Sequence, residues 1–363
     1  MVTHSVTALV MAGGTGGHVF PALAVAEALR SQGIQVHWLG TRRGMEAGVV
    51  PGSGIEISYI EIGGLRGKGL LKWVTAPFKI LQATYSAMKI IASIKPDVVL
   101  GMGGFVTGPG GLASRIMGKP LVIHEQNAIA GLTNKLLSKI ASRVLQAFPG
   151  TFSGTDRVFH TGNPVRESIN RLDKPDTRYS AREGNLQILV VGGSLGAQAL
   201  NETVPDALAM IEEPQRPIVW HQSGRNKLQA TEARYKENNI DARTVEFIDD
   251  MHEAYGWADL IICRAGAMTV TEISNAGIAS ILVPYPYAVD DHQSANARYL
   301  ANAGAAILIQ QVELTPRRLA DELLHLISAG RTELMAMANR ALTLARPDAT
   351  QTVAQHCLEV AHG

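Results

Sequence analysis

The stretch VTALVMAGGTGGHVF, residues 6–20, decides the fold of this chain. Its first six residues, Val6–Met11, are almost all apolar and predict a short buried strand. The turn Gly13-Gly14-Thr15-Gly16-Gly17 follows, and a helix is predicted near Val19–Ser31. A glycine-rich turn between a buried strand and a helix is typical of α/β proteins with a parallel sheet.

The same alternation of strands and helices continues along the chain and then restarts. In the first half, further strands are predicted at Val36–Leu39, Asp97–Gly101, Leu121–His124 and Val144–Ala147, the last of that half. In the second half, strands are predicted at Gln187–Val191, Ile218–Gln222, Thr244–Phe247, Leu260–Cys263 and Ser280–Val283, with a helix over Ala197–Leu208. We therefore expect two doubly wound Rossmann-like domains of similar size. Their connection is predicted at 161–164 and the charged stretch Arg171–Gly184.

Composition limits the class of protein. At 363 residues the chain is too long for one ordinary core, and 46% apolar residues exclude general disorder. Cys263 and Cys357 form no CxxC or metal-ligand spacing, so we expect buried or free thiols in a reducing cytoplasm. The N-terminus lacks the basic region of a signal peptide, and no uncharged apolar run of about 18 residues predicts a spanning helix.

The two halves of the chain differ in charge. Residues 1–165 contain 15 Lys and Arg against 7 Asp and Glu, a net charge of +8. Residues 166–363 contain 18 against 25, a net charge of −7. This asymmetry predicts that the halves meet different partners, and the basic half suits an anionic surface.

Three glycine-rich loops follow predicted strands, at Gly13–His18, Gly101–Gly111 and Gly192–Gly196. Glycine allows the backbone to approach a ligand closely. A helix that begins after such a loop presents N–H groups and a partial positive charge to phosphate. Loops of this kind at the carboxyl ends of parallel strands predict a phosphate-bearing substrate.

The loop sequences exclude several common phosphate sites. The order Gly14-Thr15-Gly16-Gly17-His18-Val19 breaks the dinucleotide spacing, and the second strand ends at Gly40-Thr41-Arg42-Arg43 without an acid, so NAD is disfavoured. GxxxxGK[ST] and DxD are absent from the sequence, which disfavours a P-loop kinase and gives no signal for a metal-bridged diphosphate. We therefore predict no metal and no cofactor, and expect helix dipoles and arginines to neutralise a diphosphate.

Several longer motifs make the chain resemble the MurG-type glycosyltransferases. They are 13–22 (GGTGGHVFPA), 103–111 (GGFVTGPGG), 124–127 (HEQN), 162–166 (GNPVR), 192–197 (GGSLGA), 263–272 (CRAGAMTVTE) and 291–297 (DHQSANA). The match runs in order over nearly the whole chain.

The resemblance implies an α/β fold of the GT-B type, with two Rossmann-like doubly wound domains separated by a deep cleft. The implied domains are an acceptor- and membrane-facing one at 1–165, to which a C-terminal helix at about 346–363 crosses back, and a UDP-GlcNAc-binding one at 166–345. The implied reaction moves N-acetylglucosamine from UDP-N-acetylglucosamine to the muramoyl sugar of undecaprenyl-pyrophosphoryl-MurNAc-pentapeptide. That step converts lipid I to lipid II with inversion at the anomeric carbon. It also implies a peripheral enzyme on the cytoplasmic face of the bacterial inner membrane, with no nucleic-acid partner.

The resemblance also assigns residues to the donor. The Ile248 backbone would meet the uracil edge, Glu272 would accept hydrogen bonds from the ribose, and Gln293 with His292 would contact the sugar hydroxyls. The helix start at Ala267, Met268, Thr269, Val270 and Thr271 would hold the diphosphate. The other implied substrate-binding residues are Arg166, Ser194 and Arg264 in the second domain and Thr15, Gly16, Gly17 and Asn127 in the first.

An inverting transfer calls for a general base near the acceptor hydroxyl. His18 is the first candidate, because it ends the first glycine loop and imidazole titrates near neutral pH. Glu125 is the second candidate. His18 could instead stabilise the leaving diphosphate, and the residues alone do not separate these roles.

A segment of the first half mixes large apolar residues with lysines, as interfacial helices do. We predict that Leu70, Leu71, Trp73 and Phe78 contact the bilayer, and that Lys72, Lys79, Lys135 and Lys139 lie near lipid phosphates. The ordinary alternative is a helix that only covers the sheet. For the whole protein, the alternatives are transfer to another membrane lipid such as diacylglycerol, a UDP-N-acetylglucosamine epimerase, or a nucleotide-binding module without activity.

Overall fold

The computed structural model describes residues 6–63, 70–193 and 196–362, without the side chains of 70–75 and 289. The chain divides into two compact units. Unit 1 comprises Met1–Val165 with Arg346–Gly363, and unit 2 comprises Arg166–Ala345. Each unit is built around its own parallel sheet.

Unit 1 has helices on both faces of its sheet. Its strands are β1 (Thr7–Met11), β2 (Gln35–Gly40), β3 (Glu56–Tyr59), β4 (Val98–Gly101), β5 (Leu121–Glu125), β6 (Arg143–Gln146) and β7 (Val158–His160). In the described part of the unit they form a seven-stranded sheet, parallel throughout, in the order β3-β2-β1-β4-β5-β6-β7. Its first helices are α1 (Gly16–Ser31), α2 (Glu46–Gly52), α3 (Leu70–Ile94), α4 (Thr107–Ile116) and α5 (Leu132–Leu137). Strands β4 and β5 are buried along their length, as expected where both faces are covered.

Unit 2 repeats this architecture. Its strands are β8 (Gln187–Val191), β9 (Ile218–Gln222), β10 (Ala242–Val245), β11 (Leu260–Cys263), β12 (Ala279–Leu282) and β13 (Ala306–Leu308). Over its described residues they form a six-stranded parallel sheet in the order β10-β9-β8-β11-β12-β13. Its helices are α6 (Glu167–Asn170), α7 (Pro175–Ser180), α8 (Gln198–Ala209), α9 (Leu228–Glu237), α10 (Met251–Trp257), α11 (Ala267–Ala276), α12 (His292–Ala301) and α13 (Pro316–Thr343). Helix α13 is broken at Gly330, where φ is 70°.

The C-terminal helix α14 (Ala349–His362) belongs to unit 1. Val353, Ala354 and Cys357 of this helix are buried in the same core as residues of α1 and β4. Removing these apolar side chains from water holds the last helix on the first unit.

Two sequence predictions were wrong, one about the last strand of unit 1 and one about the connection between the domains. The last strand of unit 1 is β7 and not 144–147, because Val158–His160 adds a further parallel strand beside β6. The stretch 171–184 is not simply a connection, since it contains α7, whose Arg178 and Tyr179 are buried in unit 2. Within residues 6–63, 70–193 and 196–362, no helix combines the length and apolar character needed to cross a bilayer.

Candidate active site

The glycine loops lie where each sheet reverses its strand order. In unit 1 the reversal falls between β1 and β4, which are followed by the loops at 13–18 and 102–106. In unit 2 it falls between β8 and β11, which are followed by Gly192-Gly193 and by Arg264–Gly266. Ligands of open α/β sheets bind at such switch points, outside the carboxyl ends of the strands.

In unit 1 the two glycine loops pack directly against each other. Gly103 and Gly104 have φ of 104° and 84°, which favours glycine. A Cβ on Gly104 would lie 2.2 Å from Gly13 O, and one on Gly103 would lie 2.6 Å from His18 Nδ1. Only glycine fits at these positions without displacing the first loop or His18.

Glu46 binds the first glycine loop through its carboxylate. It is fully buried, and its Oε2 accepts from Gly14 N at 2.9 Å. Its Oε1 accepts from Thr41 N and Thr41 Oγ1, both at 2.8 Å. The second strand has no acidic residue at its end, but Glu46 follows six residues later. Its carboxylate binds the first glycine loop of the protein itself.

His18 is half-buried at the start of α1, and its ring contacts a buried polar residue. Its Nδ1 lies 3.1 Å from Oε1 of Gln126, which follows β5. Gln126 Nε2 donates to Met102 O at 2.8 Å. The loops after β1, β4 and β5 thus meet at His18.

Glu125, the second candidate for the base, holds a loop. It is 3% exposed, and its Oε1 accepts from Asn127 N at 3.1 Å and Asn127 Nδ2 at 3.2 Å. Its Oε2 accepts from Gly131 N at 3.1 Å and Asn134 Nδ2 at 2.9 Å. With two donors on each oxygen, this carboxylate orients Asn127 and the turn before α5.

Two helices present their first amides at these switch points. Helix α1 follows Thr15, and its first hydrogen bonds run from His18 N and Val19 N to Thr15 O, so the N–H groups of Gly16 and Gly17 precede them. In α11 the first hydrogen bond runs from Val270 N to Gly266 O at 2.9 Å. The amides of Ala267, Met268 and Thr269 therefore precede the helical ladder, whereas that of Val270 is engaged in it.

Glu272 lies on α11, one turn beyond these amides. Its Oε2 accepts a hydrogen bond of 2.9 Å from the hydroxyl of Tyr255 on α10. Burial raises the pKa of the Glu272 carboxyl, while the Tyr255 hydrogen bond and the charge of Arg166 act to lower it. The structure thus brings Arg166, at the start of α6, near Glu272.

Gln222, at the end of β9, joins two loops of unit 2. Its Nε2 donates to Gly193 O and to Glu246 O, both at 3.0 Å. The second of these loops carries Ile248, whose side chain is buried, and Phe247, which is 58% exposed. Ser194 lies outside the described residues, so its predicted contact stays a prediction.

Arg264 supports the loop that leads to α12. Its Nη1 donates to Val283 O at 3.1 Å and Pro284 O at 3.2 Å, and its Nη2 to Gln311 Oε1 at 2.6 Å. These bonds direct the guanidinium into the protein. His292 and Gln293 begin α12, and Gln293 Oε1 accepts from Tyr285 N at 2.9 Å.

These features define a protein of two parallel α/β units, each with ligand-binding loops at the switch point of its sheet. Residues 8–146 match the glycosyltransferase family 28 N-terminal domain, and residues 187–353 match the family's C-terminal domain. The chain belongs to glycosyltransferase family 28.

Individual relatives agree with this assignment. The chain is 53% identical over 359 residues to the UDP-N-acetylglucosamine--N-acetylmuramyl-(pentapeptide) pyrophosphoryl-undecaprenol N-acetylglucosamine transferase of Nitrosococcus oceani, covering 99% of this chain and 100% of the relative. The crystal structure of Acinetobacter baumannii MurG is similar with a TM-score of 0.86 and 46% identity, over 98% of this chain and 99% of that one. The UDP-GlcNAc 2-epimerase of Neisseria meningitidis, at 14% identity and a TM-score of 0.68 over 97% and 99%, shares the fold alone. The predicted GT-B fold class is confirmed.

Four polar residues around the loops were missed in the sequence. They are Glu46, Gln126, Gln222 and Tyr255. Gln126 lay inside a recognised motif, HEQN, which was a usable signal. The other three lie outside the glycine motifs. Only the fold brings Glu46 and Gln222 to the loops and Tyr255 to Glu272.

Proposed function

We propose that this protein is an inverting glycosyltransferase. It moves N-acetylglucosamine from UDP-N-acetylglucosamine to the MurNAc sugar of undecaprenyl-pyrophosphoryl-MurNAc-pentapeptide, forming lipid II for peptidoglycan synthesis. The observation that carries this proposal is the 53% identity over the full length of a transferase with that name. Likeness to the epimerase, at 14% identity, extends to the fold only.

We assign the donor nucleotide to unit 2. The amides of Ala267, Met268 and Thr269 suit the diphosphate, because a helix N-terminus offers N–H donors and partial positive charge. Arg166, whose positive charge acts on Glu272 of α11, is proposed to neutralise the diphosphate, and Ser194 to contribute a hydroxyl.

The nucleoside and the sugar complete the donor assignment. Glu272 suits the ribose diol, since a carboxylate is a strong acceptor for hydroxyl groups. The backbone of Ile248 is proposed to meet the uracil edge, and Gln293 with His292 the sugar hydroxyls. Arg264 acts indirectly in this scheme, by holding the loop before Gln293.

The chemical step is one displacement at the anomeric carbon. The acceptor hydroxyl forms the new C–O bond on one face, while the bond to UDP breaks on the other and its electron pair leaves on the diphosphate oxygen. The hydroxyl proton passes to a general base, for which we propose His18 at the switch point of unit 1. Glu125 is the weaker candidate, because each of its oxygens already accepts two hydrogen bonds. Its proposed role is to position Asn127, which with Thr15, Gly16 and Gly17 is assigned to substrate binding from unit 1.

We further propose that unit 1 carries the membrane contact. Phe78, Leu81 and Tyr85 recur at helical spacing along α3 and are 74%, 63% and 59% exposed. The side chains of Leu70, Leu71, Lys72 and Trp73 lie outside the described residues. Ile116 on α4 and Leu132 and Leu136 on α5 are also exposed, and α4 packs against both α3 and α5.

Basic residues accompany these apolar side chains. Lys79, Arg115, Lys135 and Lys139 are exposed on the same three helices or directly after them, and Lys89 lies over the Tyr85 ring at 4.6 Å. Exposed apolar groups among lysines suit an anionic bilayer, where both burial and charge favour binding. We therefore propose that the protein is a peripheral enzyme that binds the cytoplasmic face of the inner membrane through this surface of unit 1.

A direct assay tests the activity. The protein is incubated with radiolabelled UDP-N-acetylglucosamine and a lipid I analogue, and the lipid is separated from water-soluble products. Label in the lipid I product supports the proposal. Label in free sugar or an epimer supports the epimerase, and label in no new product contradicts an enzymatic role. In a parallel incubation with diacylglycerol in place of lipid I, transfer to diacylglycerol alone supports another acceptor.

A further inference from the structure

A chain of hydrogen bonds runs from the first glycine loop into the core of unit 1. His18 Nδ1 lies 3.1 Å from Gln126 Oε1, and Gln126 Nε2 lies 3.3 Å from His124 Nδ1. His124 Nε2 lies 2.9 Å from Gly162 O, and Gln126 Nε2 also donates to Met102 O at 2.8 Å. His124 and Gln126 are 0% and 1% exposed, so their polar atoms depend on these protein partners.

The proton on His124 can be placed from its surroundings. Gly162 O is only an acceptor, so His124 Nε2 carries a proton. Burial lowers the pKa of His124 to about 4, so near neutral pH the ring carries only one proton. His124 is therefore the Nε2–H tautomer, and its Nδ1 is an acceptor.

The orientation of the Gln126 amide follows. Both groups at its nitrogen end, Met102 O and His124 Nδ1, are acceptors. A flipped amide would place Oε1 against two acceptors and lose both hydrogen bonds. Oε1 therefore faces His18, and an amide oxygen can only accept, so His18 Nδ1 must donate.

We propose that Gln126, itself oriented by His124, is a positioning residue that holds neutral His18 in the Nδ1–H tautomer. The lone pair of the ring is then on Nε2. A general base needs its lone pair on one defined nitrogen, and in proteins the partner of the other nitrogen selects it. The tautomer follows from the hydrogen bonds alone. That the Nε2 lone pair accepts the acceptor's proton rests in addition on the base role proposed for His18.

The tautomer can be measured directly by NMR. Long-range ¹H–¹⁵N spectra of the full chain, labelled with ¹⁵N-histidine and recorded near neutral pH, distinguish Nδ1–H from Nε2–H rings. The His18 signals are identified by their loss in His18→Ala. We expect Nδ1–H for His18 and Nε2–H for His124. His221 serves as an internal reference in unit 2, because its Nε2 faces Asn201 Oδ1 at 3.1 Å and is also expected to carry the proton.

Gln126→Leu removes the acceptor that faces His18. We expect the His18 ring to shift towards Nε2–H in this variant. The signals of His37 in unit 1 and of His221 in unit 2 should stay unchanged and report that both units are folded. We also expect kcat to fall by about tenfold to a hundredfold, within what a positioned general base contributes, with less than a twofold change in KM for UDP-N-acetylglucosamine.

Two results would overturn the proposal. One is an Nε2–H ring for His18 in the unmodified protein, a measurement that needs no variant to fold. The other is an unchanged Nδ1–H ring in folded Gln126→Leu. Failure of the base role is distinguishable from both, since it appears as retained turnover in His18→Ala whatever the tautomer.

Discussion

The Tyr255 hydroxyl donates a 2.9 Å hydrogen bond to Glu272 Oε2 and thereby joins α10 to α11. Tyr255 is buried, and burial raises its pKa well above the usual value, so the hydroxyl keeps its proton and acts as the donor. The bond sets the orientation of the carboxylate that we assign to the ribose.

Tyr255→Phe should weaken donor binding without slowing the chemical step. Loss of a hydrogen bond to a charged group costs roughly 1.5–3 kcal/mol, so KM for UDP-N-acetylglucosamine should rise about tenfold or more. The kcat value should stay within about twofold, because the contact is made equally in the ground and transition states. Steady-state kinetics measure both constants. Tyr235→Phe, which removes another buried hydroxyl of unit 2, is the matched control, and a fall in kcat at constant KM would contradict the assignment.

His18→Ala should abolish turnover far more than nucleotide binding. A positioned general base contributes about 10²–10⁴-fold, so kcat should fall by that factor while the Kd for UDP changes little. Kinetics and calorimetric titration with UDP supply the two numbers. His37→Ala removes a ring from the same unit, near the opposite end of β2 from the loop, and should leave kcat nearly unchanged. Equal losses of turnover and UDP binding would rule out the base role.

Phe78→Glu combined with Leu81→Glu should release the protein from anionic vesicles. Burying such side chains contributes about 1.5–3 kcal/mol each, so co-sedimentation should fall by at least tenfold. Turnover of a water-soluble acceptor analogue should be unchanged. Val312→Glu is the control, since Val312 is 89% exposed but lies in unit 2. If vesicle binding is unchanged by the double substitution, or does not depend on anionic lipid, this surface is not the membrane contact.

Glu46→Gln should destabilise unit 1 at its first loop. Whichever way the amide turns, its NH₂ group faces an N–H donor of Gly14 or Thr41. The free energy of unfolding should fall by about 1–3 kcal/mol, as for other buried hydrogen bonds that lose a partner. Urea unfolding measures the change. Glu27→Gln on the exposed side of α1 should have little effect, and equal stability of the two variants would show that Glu46 does not hold the loop.

The strands and glycine loops could be predicted because their signals are local. Strand β1 was predicted at 6–11 and is Thr7–Met11, and β11 was predicted at its observed bounds. Strands β3, β7 and β13 were missed, since Glu56–Tyr59, Val158–His160 and Ala306–Leu308 are short edge strands whose residues are mostly only partly buried. Their pairing with β2, β6 and β12 stabilises them more than their own apolar content does.

By itself, the sequence determined that there are two parallel α/β units with glycine-rich, phosphate-binding loops after their strands. Buried strands and glycine turns can be predicted in this way because their sequence signals lie in neighbouring residues. Only the tertiary structure decided what each polar side chain at those loops does. His18 and Gln126 are 108 positions apart, Gly14 and Glu46 are 32 apart, and Tyr255 and Glu272 are 17 apart. A buried polar group must bond to whatever donor or acceptor the fold brings within about 3 Å, and sequence spacing does not specify that partner.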